Sequence, residues 1–588
     1  MIFPRLTVIE DELALQPHSH LSFNIAVLRN VTVEGLEPYL RYAGMHDCLN
    51  LCINWGDYDN ILQEANCIGS GVINDQVQAI IVVLWLPAFS EILGFTFASV
   101  KAEEIEAELL RVRDYCSATL RSLRERSAAP ILWLGFEPPS WPNYGILDAS
   151  AKPSQRAAIA SLNVFLSDEL EQAKNAWLVD TGACLERIGA ANFYDWRFWH
   201  MAHAPHGRAA LAEIAAEVQK HLRALTGRVR KCLILDCDNT LWGGIVGEDG
   251  VDGVRIGTDH PGIAYREFQL EVLNLYHRGV ILGLCSKNNE RDVRELLRVR
   301  SDMVLREEHF SIMRVNWQDK VTNLKEIAVE LNIDINSIVF VDDSAFEVNL
   351  VRSSLPDVAT LHVSASKPYE NRGLLAQCGL FDTHVFTEED LARSKMYQAE
   401  VERKILATSN MDISQYLCSL KMSISVEPVS ESQIDRATQL CQRTNQFNLT
   451  TKRYTRDELV KQMLDLNSTL LLLRLSDRFG GYGIVGFCMM IHNCSFAHID
   501  TFLLSCRSLG RSVETAFLAI CAEQAASKGA KTITAAYTPT NKNAQVASFY
   551  QRHGFIVIAE TNSESQFILH WKPDCIQVPA HFTLSSPS

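Results

Sequence analysis

The four residues Cys232-Leu-Ile-Leu235 are apolar without interruption, and the chain then breaks at once into Asp236-Cys237-Asp238-Asn239-Thr240. A short apolar run with no polar alternation fits a strand covered on both faces, which confines it to the inside of a parallel α/β sheet. Polar residues gathered only where such a strand stops lie at its carboxyl end, the edge at which open α/β sheets bind ligands. Side chains alternate along a strand, but a bend after Asp236 can turn both carboxylates toward one pocket. They then offer the hard oxygen donors that suit Mg2+.

Short apolar runs alternate with helical stretches over most of the chain. Strands are expected at 24–30, 78–86, 131–135 and 176–180, with helices at 100–126 and 154–175 between them. That alternation implies a parallel three-layer unit. A second α/β unit begins at Lys231, with strands at 232–235, 280–285 and 337–341 and helices at 265–278, 290–298 and 321–331. Each of its strands closes on a polar cluster, the order of a doubly wound fold. Residues 388–420 read as a helical connector into a third unit. There, strands at 469–475, 482–491 and 496–504 precede a helix at 512–527, a strand at 532–536 and a helix at 543–553. A chain of 588 residues exceeds one hydrophobic core. The expected division is 1–228, 229–387, the connector 388–420, and 421–588.

A formal charge of -15 argues against nucleic acid as a partner, because binding there rests on neutralising phosphates with Lys and Arg. The sixteen cysteines are scattered singly, without the paired spacing of a zinc site or the density of a disulfide scaffold. Reduced thiols in a cytoplasmic protein are the expectation. The start lacks a basic segment followed by an apolar run. The most apolar run, at 79–87, is about half the length that spans a bilayer, so no membrane partner is expected.

The motifs 236–240, Ser286 after the strand at 280–285, Lys320 in Asn316-Trp-Gln-Asp-Lys320, and Asp342-Asp343 in Phe340-Val-Asp-Asp-Ser344 occur in the order found in haloacid-dehalogenase (HAD) superfamily phosphotransferases. Any one of them alone is an ordinary turn or helix cap. The resemblance implies Asp236 as nucleophile and Mg2+ ligand, and Asp238 as the acid/base and a further ligand. It implies Thr240, Ser286 and Lys320 as phosphate-binding residues, and Asp342 with Asp343 as the rest of the metal site. Trp242-Gly243-Gly244 would let the backbone approach the ligand.

The wording of 236–250, Cys285-Ser-Lys-Asn-Asn289 and 340–347 resembles more closely the FkbH-like proteins, HAD subclass IIIC, associated with polyketide assembly. That family's activity would be removal of phosphate from 1,3-bisphosphoglycerate and loading of glyceryl, through an enzyme cysteine, onto the phosphopantetheine of an acyl carrier protein. In the third unit, 502–514 and 540–555 resemble the pyrophosphate loop and the pantetheine-flanking segment of GNAT acyltransferases. The likeness implies pantetheine contacts from Arg507, Gly510, Arg511, Asn543 and Tyr550. It also makes Cys506, beside Arg507 and a helix N-terminus, the first candidate for the acyl-carrying thiol. Cys237 and Cys285 are rivals beside the phosphoryl site, with burial as small core residues the plainer reading of both.

The first unit stands where longer members carry an SGNH-hydrolase-like domain, but its first strand ends Leu28-Arg-Asn30 with no nucleophilic serine. Triad chemistry then has no nucleophile. A degenerate docking domain is expected, with the histidines of 194–207 on the surface or in packing. The fold class expected is α/β in three domains: an SGNH-like sandwich, a HAD-like doubly wound sheet and a GNAT-like α+β unit. Two other functions were open to such a chain: a HAD phosphatase acting on a small phosphomonoester, and a non-catalytic scaffold for a carrier protein. A third was acetyl transfer from acetyl-CoA.

Overall fold

In the computed structural model, residues 3–15, 21–67, 71–385, 413–444, 446–493, 495–505, 508–540, 543–561 and 563–585 are described. Most of the expected connector, together with Cys506 and Arg507, therefore lies outside the described residues. By its contacts the chain separates into two compact units, Met1–Arg228 and Val229–Ser588.

In the first unit, β1 (Leu21–Arg29), β2 (Leu49–Tyr58), β3 (Ala79–Val83), β4 (Ile131–Leu134) and β5 (Ala176–Val179) form one sheet in the order β2-β1-β3-β4-β5. All its pairings are parallel. Along β1, Ile25 and Val27 enter one core while Ala26 and Leu28 enter the other. This is why residues 25–28 are apolar without a break: both faces are covered there. Helices Glu37–His46 and Arg208–Leu225 cover the first face, and Ala102–Arg126 with Gln155–Ala173 cover the second. The sequence reading missed β2. It is an edge strand with half-exposed Asn50 and an exposed Asn54, so it lacks a continuous apolar run.

The second unit holds two sheets. In one, β6 (Cys232–Leu235), β7 (Ile281–Ser286), β8 (Phe310–Val315), β9 (Ile338–Asp342) and β10 (Ala359–His362) run parallel in the order β10-β9-β6-β7-β8. Read from the other edge, the sheet goes third, second, first, fourth, fifth. The direction of winding reverses between β6 and β9, so the crevice outside their carboxyl ends is the place for a ligand. Leu233 and Leu235 pack into one core and Cys232 and Ile234 into the other.

The other sheet is built from β11 (Met422–Pro428), β12 (Ser468–Asp477), β13 (Gly480–Asn493), β14 (Phe496–Leu504), β15 (Thr532–Tyr537), β16 (Ile556–Glu560), β17 (Ser565–His570) and β18 (Phe582–Leu584). Its order is β16-β17-β15-β14-β13-β12-β11-β18. Most neighbours are antiparallel, but β14 and β15 are parallel and joined through helix Val513–Ser527. The helix expected at 543–553 is replaced by two short turns of helix, Ala544–Val546 and Phe549–Arg552, because Asn543 is drawn into hydrogen bonds with neighbouring loops. No described helix is long and apolar enough to cross a membrane.

Candidate active site

Asp236 follows the last residue of β6, Ser286 ends β7 and Asp342 ends β9, so the sheet itself delivers these three side chains to the crevice where the winding reverses. Alternation carries through the end of β6. Cys237 continues the face of Leu233 and Leu235 into the core, and Asp236 does not. The bend comes from Asn239, which takes φ +55°, a left-handed conformation that Asn tolerates better than most residues. Its side-chain oxygen accepts the Gly244 N–H at 3.0 Å and closes the turn.

Lys320, the first residue of helix Lys320–Glu330, reaches into this crevice with its charge buried. Its ammonium donates to Asp236 Oδ1 at 2.7 Å and more closely to Asp342 Oδ2. Burial alone would lower the lysine's pKa, and the two carboxylates outweigh it and raise it. Burial also pushes Asp236 up to about 6, with Lys320 pulling the other way and Asp342 adding to the rise. Asp343 is likewise pushed up to about 6, by burial and then by the charge of Asp236. Carboxylates crowded this way are short of positive charge. Ligand oxygens of Asp236, Asp342 and Asp343 lie within 4.8 Å of one another, a set of hard donors that fits a small divalent cation such as Mg2+. Asp342 is oriented for this by the Ser344 N–H, which donates to its Oδ1 at 2.8 Å.

Asp238 stands apart from that group. Its Oδ1 accepts the Trp242 indole N–H at 2.9 Å and the Val246 N–H at 3.1 Å, and its Oδ2 accepts Asn288 Nδ2 at 2.8 Å. Those three donors engage its two oxygens, and its carboxylate is not in the cluster formed by Asp236, Asp342 and Asp343. Asn288 also donates to Ser286 Oγ at 3.3 Å, tying the loop after β7 to both residues. The Thr240 hydroxyl is buried with no protein partner among the described residues, which suits an oxygen-rich ligand beside Asp236. Lys287 pairs with Glu347 Oε1 at 2.6 Å, and Glu347 Oε2 is buried without a partner among the described residues. Asn288, Lys287 and Glu347 lie within motifs that the sequence reading quoted, 285–289 and 340–347, but it gave them no role.

The two thiols near this centre are core residues. Cys285 is pushed up to about 12 by burial, and Cys237 is raised well above the usual thiol range, by burial first and then by Asp236. Neither is poised as a thiolate.

In the part of the second unit that holds the eight-stranded sheet, Gly510 is exposed at φ +78°, and Arg511 lies with its guanidinium 5.3 Å from the centre of the Tyr482 ring. Of the residues expected to contact pantetheine, Asn543 and Tyr550 are both buried. The Asn543 amide is buried and donates to the Asn448 and Thr538 carbonyls, both at 2.9 Å. The Tyr550 ring is buried within the core, where Phe555 and Phe567 pack on it.

In the first unit, Asn30, the residue after β1, is bonded to the Trp85 backbone on both sides, donating at 3.1 Å and accepting at 2.7 Å. His200 and His203 are exposed, whereas His206 is buried with Nε2 3.0 Å from Glu137 Oε1.

No family model matches the chain, and no curated protein matches it. Among solved structures, the N-terminal part of the protein BF1531 from Bacteroides fragilis, which contains a phosphatase domain complexed with Mg, is similar at 24% identity and a TM-score of 0.60. The match covers 65% of this chain and 100% of that one, and it shows a shared fold. Two acetyltransferases match slightly. The ribosomal-protein-S18-alanine N-acetyltransferase of Escherichia coli has 12% identity and a TM-score of 0.20, covering 25% of this chain and 90% of that one. The PaiA N-acetyltransferase of Thermoplasma acidophilum, in complex with coenzyme A, has 14% identity and a TM-score of 0.21, covering 25% and 99%.

Proposed function

We propose that this chain is an acyl-loading enzyme of the FkbH-like kind. It would take an acyl phosphate, 1,3-bisphosphoglycerate, and pass glyceryl through an enzyme cysteine to the phosphopantetheine thiol of a carrier protein. The observation that supports this most is the buried Lys320 ammonium held between Asp236 and Asp342, next to a Thr240 hydroxyl that has no partner among the described residues. A cation, two or three carboxylates and open hydrogen-bonding capacity at the carboxyl edge of a doubly wound sheet form a phosphoryl cradle. Bound at Asp236, Asp342 and Asp343, Mg2+ would neutralise phosphate charge and polarise the phosphoryl group.

The balance of atoms divides the work, because the donor carries an acyl phosphate at C1 and a phosphomonoester at C3. Attack on the C1 phosphorus would release a free carboxylate, from which no thioester forms, so a thiolate attacks the C1 carbonyl carbon, the C–O bond breaks and phosphate leaves with the bridging oxygen. The product of that step is a 3-phosphoglyceryl thioester, and glyceryl requires cleavage of the C3 phosphomonoester as well. In that cleavage Asp236 attacks phosphorus, the C3 oxygen leaves as the alcohol with a proton from Asp238, and water then releases phosphate from the aspartyl phosphate, while Lys320, held to Asp236 at 2.7 Å, and Thr240 bind the phosphoryl oxygens. Cys506 is the thiol we favour, because Cys237 and Cys285 are buried and held protonated.

The test is intact mass spectrometry after incubation with Mg2+, 1,3-bisphosphoglycerate and a phosphopantetheinylated carrier. We expect a glyceryl-sized adduct on the enzyme and on the carrier, lost in Asp236→Asn, and for Cys506→Ala lost from both. Phosphate release with no adduct on either protein sinks the acyl-transfer reading and leaves a phosphatase.

A further inference from the structure

The two parallel strands β14 and β15 pair over only four rows, from Phe496↔Thr532 to Ile499↔Ala535. Beyond Ile499 they part, and β14 continues to Leu504 with one edge turned away from β13. A parted pair of this kind leaves backbone N–H and C=O groups that need partners. An extended ligand with amides of its own can supply them by joining the edge as a strand does.

Here the chain fills the opening itself. The Leu449 N–H donates to the Phe502 carbonyl at 3.3 Å, and the Leu504 N–H donates to the Phe447 carbonyl at 3.0 Å. Asn448 thus bridges antiparallel to Leu503. On the other side the Thr538 N–H, just past β15, donates to the Leu449 carbonyl at 2.8 Å, and Asn543 holds the Asn448 carbonyl. Residues 447–450 are all buried, with the Phe447 ring centre 5.1 Å from that of Phe549.

A latch lies where the strands part. Asp500, the first residue of β14 past the last paired row, is buried and accepts from Lys452 Nζ and from Tyr454 OH, the latter at 2.5 Å. Both donors come from the segment that carries the inserted residues, and the Thr450 hydroxyl adds a bond to the Asp500 carbonyl at 2.9 Å. The Lys452 side chain is about half exposed, 48%, so it can leave without opening the core.

We propose that residues 447–450 form a gate strand, latched on Asp500, that closes the slot between β14 and β15, and that a pantetheine arm enters the slot only when the gate withdraws. A pantetheine arm is an extended chain with two amides, the chemistry that would replace Leu449 at the β14 edge. The ligand class rests on the acyl-transfer reading above, whereas the closure of the slot does not. In the closed state the unit does not take up free coenzyme A.

The test is hydrogen–deuterium exchange on the full chain, with coenzyme A at millimolar concentration as the probe. In the unsubstituted protein we expect slow exchange at Leu449, Leu504 and Thr538, unchanged by coenzyme A. In Lys452→Met/Tyr454→Phe we expect these amides to exchange roughly tenfold faster or more. A pantetheine arm should then protect Leu504 while Leu449 stays fast. A phosphopantetheinylated carrier, with its apo form as control, replaces coenzyme A in a second arm. Protection by the carrier alone assigns the slot to a carrier-borne arm, and protection by both assigns it to either source. Unchanged exchange in the variant, or fast exchange that neither probe reverses, overturns the gate and leaves a structural strand. Coenzyme A binding to the unsubstituted protein with all three amides still slow also overturns it. Lys452→Met alone keeps the measurement readable if the double variant loses its fold, which the exchange of β6 and β9 reports. Phosphate release from 1,3-bisphosphoglycerate on the same samples separates failure of the gate from failure of the acyl-transfer reading.

Discussion

Asp236 and Lys320 were legible only together, because their motifs stand in order with Ser286 and Asp342-Asp343, whereas each alone reads as an ordinary turn or helix cap. What could not be read was their mutual distance. The pair is 84 positions apart in sequence and 2.7 Å apart in space. Burial of the carboxylates, opposed by Lys320, gives the site a pH dependence. With Asp236 and Asp343 both pushed up to about 6, the carboxylates are ionised at pH 7.5 and take up protons as the pH falls through 6. A cation binds only the ionised form, so each proton must be displaced. We therefore predict that Mg2+ affinity, measured by calorimetry, falls at least roughly tenfold from pH 7.5 to pH 5. An affinity that is flat over this range would show that other groups hold the metal.

Elements were legible where they were apolar on both faces and missed where they were not. β3, β6 and β9 showed as continuous apolar runs, while β2, β8 and β10 lie at sheet edges and carry polar residues that break the pattern. Loops around the site are joined by buried side chains that no periodicity announces. Gln269, fully buried on helix Gly262–His277, donates to the Leu241 carbonyl at 2.7 Å and accepts the Val304 and Leu305 N–H groups, both at 3.0 Å. It ties the turn after Asp236 to the chain leading into β8. Gln269→Leu removes all three bonds and strands buried backbone groups, at a cost of about 2–4 kcal/mol. Urea unfolding should show that loss as a lower midpoint with an unchanged slope. A loss below about 1 kcal/mol would mean that water takes over the amide's role.

At the scale of the whole molecule, Met1–Arg228 has its own sheet and a core on each face. A five-stranded parallel sheet covered by helices on both sides contains what a domain needs to fold alone. We predict that residues 1–228, expressed separately, give a folded monomer with one cooperative thermal transition. A molten species that binds a hydrophobic dye would refute this.

The sequence by itself determined the chemistry available: which strands are buried, that their carboxyl ends carry Asp236, Ser286 and Asp342, and that a basic residue follows at 320. Local composition and periodicity suffice for this, because burial on both faces and polarity at a strand end are properties of neighbouring residues. Only the tertiary structure decided which groups meet. It placed Lys320 between Asp236 and Asp342, sent Cys237 into the core by strand alternation, set Asp238 apart among three donors, and laid residues 447–450 into the gap between β14 and β15. These are consequences of sheet order and register, which couple residues far apart in the chain, and no short window of sequence records them.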